Sequence, residues 1–269
     1  PDLLESARAS ETERPTPETL TTVVVPALIE ASRASSSPSV KSAALLALAK
    51  LGDHFDTASR TEHLLHCMEQ LASDSPQVTE TAVLALGVLG NERAVPLLAA
   101  LMHDDPRGRR ATLGSTVHSR TRANAAYSLG LIAERGVSND VRRAIAAHLI
   151  QVLEEPNEQS SQSTSDLKVG AMDALGLVRL AWPLSSSVPH VGVYADHVAD
   201  RCSLLAYLVD YMDPERERAH AKTRHWFVRA HAPLAVARLL RGDTTRADVL
   251  PPEAADAYGS VSYTHLRAH

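Results

Sequence analysis

The densest concentration of side chains able to do chemistry is a basic run. Arg107, Arg109, Arg110, His118, Arg120 and Arg122 fall in a stretch with no acidic residue between Asp105 and Glu134. Guanidinium groups clustered this way can grip phosphate oxygens or the carboxylates of an acidic protein surface. A Gly-containing charged run can equally be a solvated loop, and both readings stay open on sequence grounds. A second basic segment, Arg216, Arg218, Lys222, Arg224 and Arg229, is diluted by Asp213, Glu215 and Glu217. His63, His66 and Cys67 stand at i, i+3 and i+4 and would share one helix face, as metal ligands do. A single turn leaves zinc short of a fourth ligand, and no CxxC or HExxH completes a site. They are read as ordinary helix residues, and neither metal nor cofactor is expected.

The elements that must carry these residues announce themselves by repetition. The phrase Val40 to Gly52 returns as Val78 to Gly90, Thr121 to Ala133, Leu167 to Arg179 and Val228 to Leu240. One column of the five copies is always alanine: Ala44, Ala82, Ala125, Ala171 and Ala232. Three positions on stand Ala47, Ala85, Ser128, Ala174 and Ala235, so a stripe of small residues runs down one helix face. Ser42, off that stripe, is expected on the exposed side. A further column reads Ala49, Gly87, Gly130, Gly176 and Ala237. Glycine inside a helix costs about 1 kcal/mol relative to alanine, so its return predicts close contact between helices that offsets the cost.

Upstream of each copy a second helical pattern appears, over Leu20 to Ser32, Thr61 to Ala72, Glu92 to Met102, Val141 to Leu153 and Val193 to Met212. Each repeat is therefore a helical hairpin. Its turns are marked by Ser37-Pro38, Ser75-Pro76, Asp105-Pro106, Glu155-Pro156 and Asp213-Pro214, since proline disfavours helix at the preceding residue. The copies begin at residues 40, 78, 121, 167 and 228, so later repeats carry insertions. Residues 103 to 118, 154 to 166 and 213 to 225 all join the first helix of a repeat to its second, and stacking should align them along one edge. The middle one is rich in Ser and Gln and reads as mobile.

These phrases resemble HEAT repeats over about residues 20 to 241. Val25-Pro26-Ala27-Leu28-Ile29 and Val95-Pro96-Leu97-Leu98 look like the proline-bearing first helix of that family, and Val40-Lys41 and Val228-Arg229 open its second. The resemblance implies an all-α fold, an armadillo-type right-handed α-solenoid of about five hairpins, serving mostly as a protein-binding scaffold. It also implies a structural use for the basic column Lys41, Arg122, Lys168 and Arg229, broken by Thr79. In the family this position often pairs with an acidic residue of a neighbouring repeat, and Asp53, Asp74 and Asp166 lie near enough to repeat turns. Ligand contact is the other reading of that column. Enzymatic branches fit poorly. The deoxyhypusine hydroxylases bind iron through His-Glu dipeptides, and no histidine here precedes Glu. The HEAT-like alkylpurine DNA glycosylases use Trp, Tyr, Asp and Arg on a basic surface, whereas Trp182 and Trp226 are the only tryptophans here and are read as caps on hydrophobic seams. No residue can be given a role from the phycobilin lyase-like group.

Composition agrees with a stack of Ala/Leu helices: 44% of residues are AVILMFWYC but only 4% are aromatic. A net charge of -5 and a pI near 6.2 do not favour nucleic acid or anionic membrane as a general partner. No apolar run has the length of a bilayer span. Cys67 and Cys202 belong to different repeats, so both are expected as free thiols, which points towards a reducing compartment such as the cytoplasm. Residues 1–19 read as an N-terminal segment, either an incomplete repeat or disordered, and 242–258 as a linker or the start of a further region. Residues 259–269 continue no repeat and resemble translated sequencing-adapter read-through. The chain is thus expected to be a fragment of a larger protein, a non-catalytic protein-binding scaffold. The alternatives are a nucleic-acid-associated HEAT protein using the basic inter-helix loop, and, more remotely, a HEAT-like lyase or hydroxylase.

Overall fold

The computed structural model describes residues 15–52, 57–156, 162–183, 198–215 and 225–241. Among them there is no strand. Leading helices α1 (Pro17–Thr19) and α2 (Val25–Ala34) are joined by a π-helical turn, Leu20–Val24. The wider turn falls where Pro26 has no N–H to give to the carbonyl four residues back. The chain continues through α3 (Pro38–Leu51), α4 (Thr57–Glu69), α5 (Pro76–Leu89), α6 (Val95–Met102), α7 (Pro106–Ala111), α8 (Ser119–Glu134), α9 (Asn139–Glu154), α10 (Gln162–Leu175), α11 (Arg201–Met212), α12 (Trp226–Arg229) and α13 (Ala232–Leu240). The hairpins are α2/α3, α4/α5, α6/α8, α9/α10 and α11/α13, an all-helical solenoid in which consecutive second helices α3, α5, α8, α10 and α13 pack along one another.

Local chemistry explains the boundaries. Ser37 caps α3 by accepting from the Val40 amide at 3.4 Å, and Pro38 follows at the first helical position, where its missing N–H is no loss. Pro76 opens α5 in the same way. That helix stops at Gly90, whose φ of 68° is left-handed and lets its N–H close on the Gly87 carbonyl. Asp200 and Ser203 form a reciprocal capping box at the start of α11.

The repeated glycines have a single cause. A Cβ built on Gly87 would stand 2.6 Å from Ser128 Cα, one on Gly130 2.7 Å from Ala174 Cα, and one on Gly176 2.7 Å from Ala235 Cα. The glycine column of each second helix thus lies directly on the small-residue column of the next. Ser128, the one departure from alanine in that column, is fully buried and donates its hydroxyl to the Val83 carbonyl on α5 at 2.9 Å. Ala44, Ala82, Ala125, Ala171 and Ala232 are all buried, as the stripe requires. First helices pack on the second helix of their own hairpin, and grooves of about 850 and 330 Å³ open beside α9.

Four expectations need correction. Ser42 is only 8% exposed, so α3 is buried on that face as well as along its small-residue stripe. The fifth second helix is not continuous from Val228 to Leu240: it breaks at Ala230 and His231, since Pro233 can donate no amide and would collide with the carbonyl of Arg229. In the fourth repeat α10 starts at Gln162 and ends at Leu175, earlier at both ends than the phrase. The insertion in the third repeat carries a short helix, α7, within what reads from sequence as a connecting loop. Residues 1–14, 242–258 and 259–269 lie outside the described residues.

Candidate functional site

The third repeat's insertion is assembled around two adjacent carboxylates. Asp105 caps α7, its Oδ1 accepting from the amides of Arg107 at 2.7 Å and Gly108 at 2.9 Å. Asp104 has a φ of 54° and turns its carboxylate the other way, where Arg109 donates to both oxygens, Nε to Oδ1 at 3.1 Å and a terminal nitrogen to Oδ2 at 3.0 Å. The Val117 amide adds a bond of 2.6 Å to Oδ1, so one carboxylate ties the beginning of the insertion to its end. Partial burial works against the Asp104 charge, but the Arg109 and Val117 hydrogen bonds outweigh it and hold the carboxyl below the usual range. Gly108 lets α7 lie directly on the backbone of α6 at Ala100 and Leu101.

This geometry sorts the basic cluster. Arg109 is engaged by Asp104, and Arg122 turns inward to donate through Nε to the Met102 carbonyl at 2.8 Å. Arg107, Arg110 and Arg120 are exposed, and among the described residues none of the three guanidinium groups makes an ion pair or hydrogen bond. His118, exposed beside them, has Glu80 of α5 at 3.9 Å. Arg216, Arg218, Lys222 and Arg224 lie outside the described residues, as do parts of the second and third insertions.

Two members of the basic column, Arg122 and Lys168, have a different partner from the one expected. Lys168 is buried and donates to the carbonyls of Leu153 at 3.1 Å and Glu155 at 2.5 Å, at the end of α9. Arg122 reaches the end of α6 in the same manner. Thr79, which breaks the charge pattern, keeps the function with a shorter reach, its hydroxyl lying 3.4 Å from the Leu71 carbonyl and 3.3 Å from that of Ser73. At these three positions the second helix covers the unsatisfied carbonyls that end the first helix of its own hairpin. Those carbonyls, rather than Asp74 or Asp166 of a neighbour, take the hydrogen bonds; Asp53 lies outside the described residues. Burial pushes the Lys168 ammonium down to about 8 against the raising effect of Glu154 and Glu155.

Residues 25–115 match the family model for HEAT repeats. Over those residues the chain is similar to HEAT repeats. No curated protein matches it. Among solved structures, one described as an engineered protein is 16% identical, covering 87% of this chain and 92% of its own, with a TM-score of 0.42, too loose a likeness to argue from.

Within the helical hairpins the other candidates take structural places. His66 Nε2 lies 2.6 Å from the Ser32 hydroxyl, both buried, and its Nδ1 lies 3.5 Å from Glu69, which also pairs with Arg33 at 3.0 Å. Ser32 is fully buried and also donates to the Ile29 carbonyl, so this Ser-His-Glu alignment offers no accessible nucleophile. Burial pushes His66 and His63 below the ordinary imidazole value and the Cys67 thiol up to about 12. Cys67 and Cys202 are both free and buried. His103, at the end of α6, lies 3.2 Å from His148 within α9. Trp182 does pack on the core, with the Arg201 guanidinium 5.0 Å from its ring, whereas Trp226 is 60% exposed and caps no seam. No described helix is long and apolar enough to cross a membrane.

Sequence reading did not single out Asp104 or Leu113. The signal available for the first was the pair Asp104-Asp105 before Pro106, one acid more than a helix cap needs. Leu113 left no signal, because its exposure follows from a backbone turn.

Proposed function

We propose that the chain is a non-catalytic protein-binding scaffold whose partner docks along the edge where first helices connect to second helices. HEAT repeats typically serve protein interaction, which supports the class. The observation that carries the placement is the division of labour among the arginines: Arg109 and Arg122 are engaged by partners within the chain, while Arg107 and Arg110 on the third insertion and Arg120 in the first turn of α8 stand free among the described residues. Stacked connections would extend this surface over about 20–30 Å if each repeat adds roughly one helix diameter. Charge along the edge is mixed, with Glu80 on α5 and the exposed Asp166 on α10, the two helices that pack on α8. A folded protein with complementary patches suits that alternation better than a uniform phosphate backbone. The test replaces Arg107, Arg110 and Arg120 together by Glu and follows capture of partners beside binding of duplex DNA. Loss of capture with DNA binding weak throughout is the expected result. Capture that persists while a strong, salt-dependent DNA affinity disappears would hand this edge to the nucleic-acid reading.

A further inference from the structure

The third insertion ends in a feature that basic contacts alone leave unexplained. Leu113 is 78% exposed, and its φ of 52° places a branched side chain in the left-handed region that glycine occupies without strain. Gly114 follows directly, so a residue free of that strain stands one position away. Single exposed leucines on regular helices, such as Leu65 and Leu234, follow from the repeat pattern and call for no account. Leu113 belongs to no repeat column. The backbone around it is held on every side: its amide donates to the Arg110 carbonyl at 3.3 Å, Gly114 to Arg109 at 3.1 Å, the Thr112 hydroxyl to Gly108 and Arg109 at 3.3 Å, and Val117 to Asp104. The leucine is displayed by an ordered loop and is not free to fold back onto the core. Arg107 and Arg110 share one face of the helix leading to it, and Arg120 opens the helix leading away.

Resting on the scaffold reading of this same edge, we infer that Leu113 is the apolar anchor of the interface, with the exposed Arg107 and Arg110 before it in the chain and Arg120 after it, and that the partner is an acidic protein segment offering an apolar residue or socket between carboxylates. Apolar anchors inside a charged rim are the usual anatomy of a binding hot spot. The three unpaired arginines set the sign of the partner. Glu80 and Asp166 on the flanking helices oppose a continuous anionic surface, and an aliphatic side chain gains nothing from a phosphate backbone. These observations favour an acidic protein over nucleic acid or an anionic bilayer.

The experiment selects a random peptide library displayed on phage against the whole chain, then measures binding of the recovered peptides, made synthetically, by fluorescence anisotropy. Duplex DNA and vesicles of mixed phosphatidylglycerol and phosphatidylcholine are titrated in parallel. Recovered peptides are expected to combine Asp or Glu with at least one aliphatic or aromatic residue. Their affinity should fall about tenfold or more in Leu113→Ser and again in the triple Arg107, Arg110, Arg120→Glu variant, with Leu65→Ser unchanged and melting temperatures matched. Peptides that bind with full dependence on the arginines but none on Leu113 overturn the anchor while leaving the scaffold reading in place. Recovery of no peptide, or binding confined to DNA or vesicles, overturns both.

Discussion

The seam between second helices and the connections between first and second helices are built from opposite materials. Along the seam glycine meets alanine or serine backbone to backbone, as at Gly130 on Ala174, and no side chain has room to move. At the connections the sequence spends long polar side chains to close open carbonyls, as Lys168 does for α9 and Arg122 for α6. The seam tolerates almost no change in side-chain volume, while the connections tolerate changes of chemistry so long as a donor reaches the carbonyls. Thr79 doing by hydroxyl what Arg122 does by guanidinium is the case in point. The insertion that carries α7 falls in the second region, where extra residues leave the seam unaltered. A recognition surface can therefore be elaborated at the connections without disturbing the stack.

The contrast can be broken most sharply at the glycines. Gly130→Val should destabilise the chain by about 3 kcal/mol or more, since the new atoms meet the Ala174 backbone and overpacking costs about 1–3 kcal/mol even where side chains can shift. Gly136→Ala, where a Cβ meets nothing within 4 Å, should be neutral or slightly stabilising. Comparable losses at both sites in chemical denaturation would show that the seam is not the rigid element.

Next in size is the donor at the connection. Lys168→Met strands the Leu153 and Glu155 carbonyls, with an expected cost of about 1–3 kcal/mol. The deficit should depend on pH with a definite sign. The folded ammonium titrates near 8 while an unfolded lysine titrates near 10.4, so between those values the unfolded chain binds more protons and wild-type stability rises with pH. The variant lacks that contribution, so its deficit should widen from pH 7 to pH 10. A constant deficit across that range would refute the buried-lysine account.

A smaller effect separates neighbouring arginines. Arg109→Ala should lower the melting temperature and speed hydrogen exchange at the Val117 amide, because Asp104 loses its bidentate partner. Arg110→Ala, exposed and unpaired among the described residues, should leave both unchanged. The smallest change expected is favourable. The Ser42 hydroxyl is buried without a hydrogen-bond partner among the described residues, so Ser42→Ala should stabilise the first hairpin by a few tenths of a kcal/mol to about 1 kcal/mol. A loss of stability there would mean that the hydroxyl is satisfied after all.

Much of the stack was legible in advance because its determinants are periodic. The alanine column, the small-residue column and the glycine column each report a contact that recurs with the repeat, and Gly87 on Ser128 is the contact the pattern called for. The candidate site was legible only as a cluster of charges. Which arginines were spent and which were free depended on a turn of the backbone at Asp104 that no periodicity announces.

The amino-acid sequence alone determined the class of this protein. Small residues spaced on one helix face, returning five times, can be buried only by stacking hairpins, and prolines after Ser and Asp set where helices start. Tertiary structure decided everything that depends on which groups meet across the chain. It gave Arg122 and Lys168 backbone carbonyls for partners, buried Ser42, split the last helix at Pro233, engaged Arg109 with Asp104, and left Leu113 exposed. The physical reason is one of range. Packing periodicity is written into neighbouring residues, whereas hydrogen-bond satisfaction and exposure are settled between atoms that only the folded chain brings together.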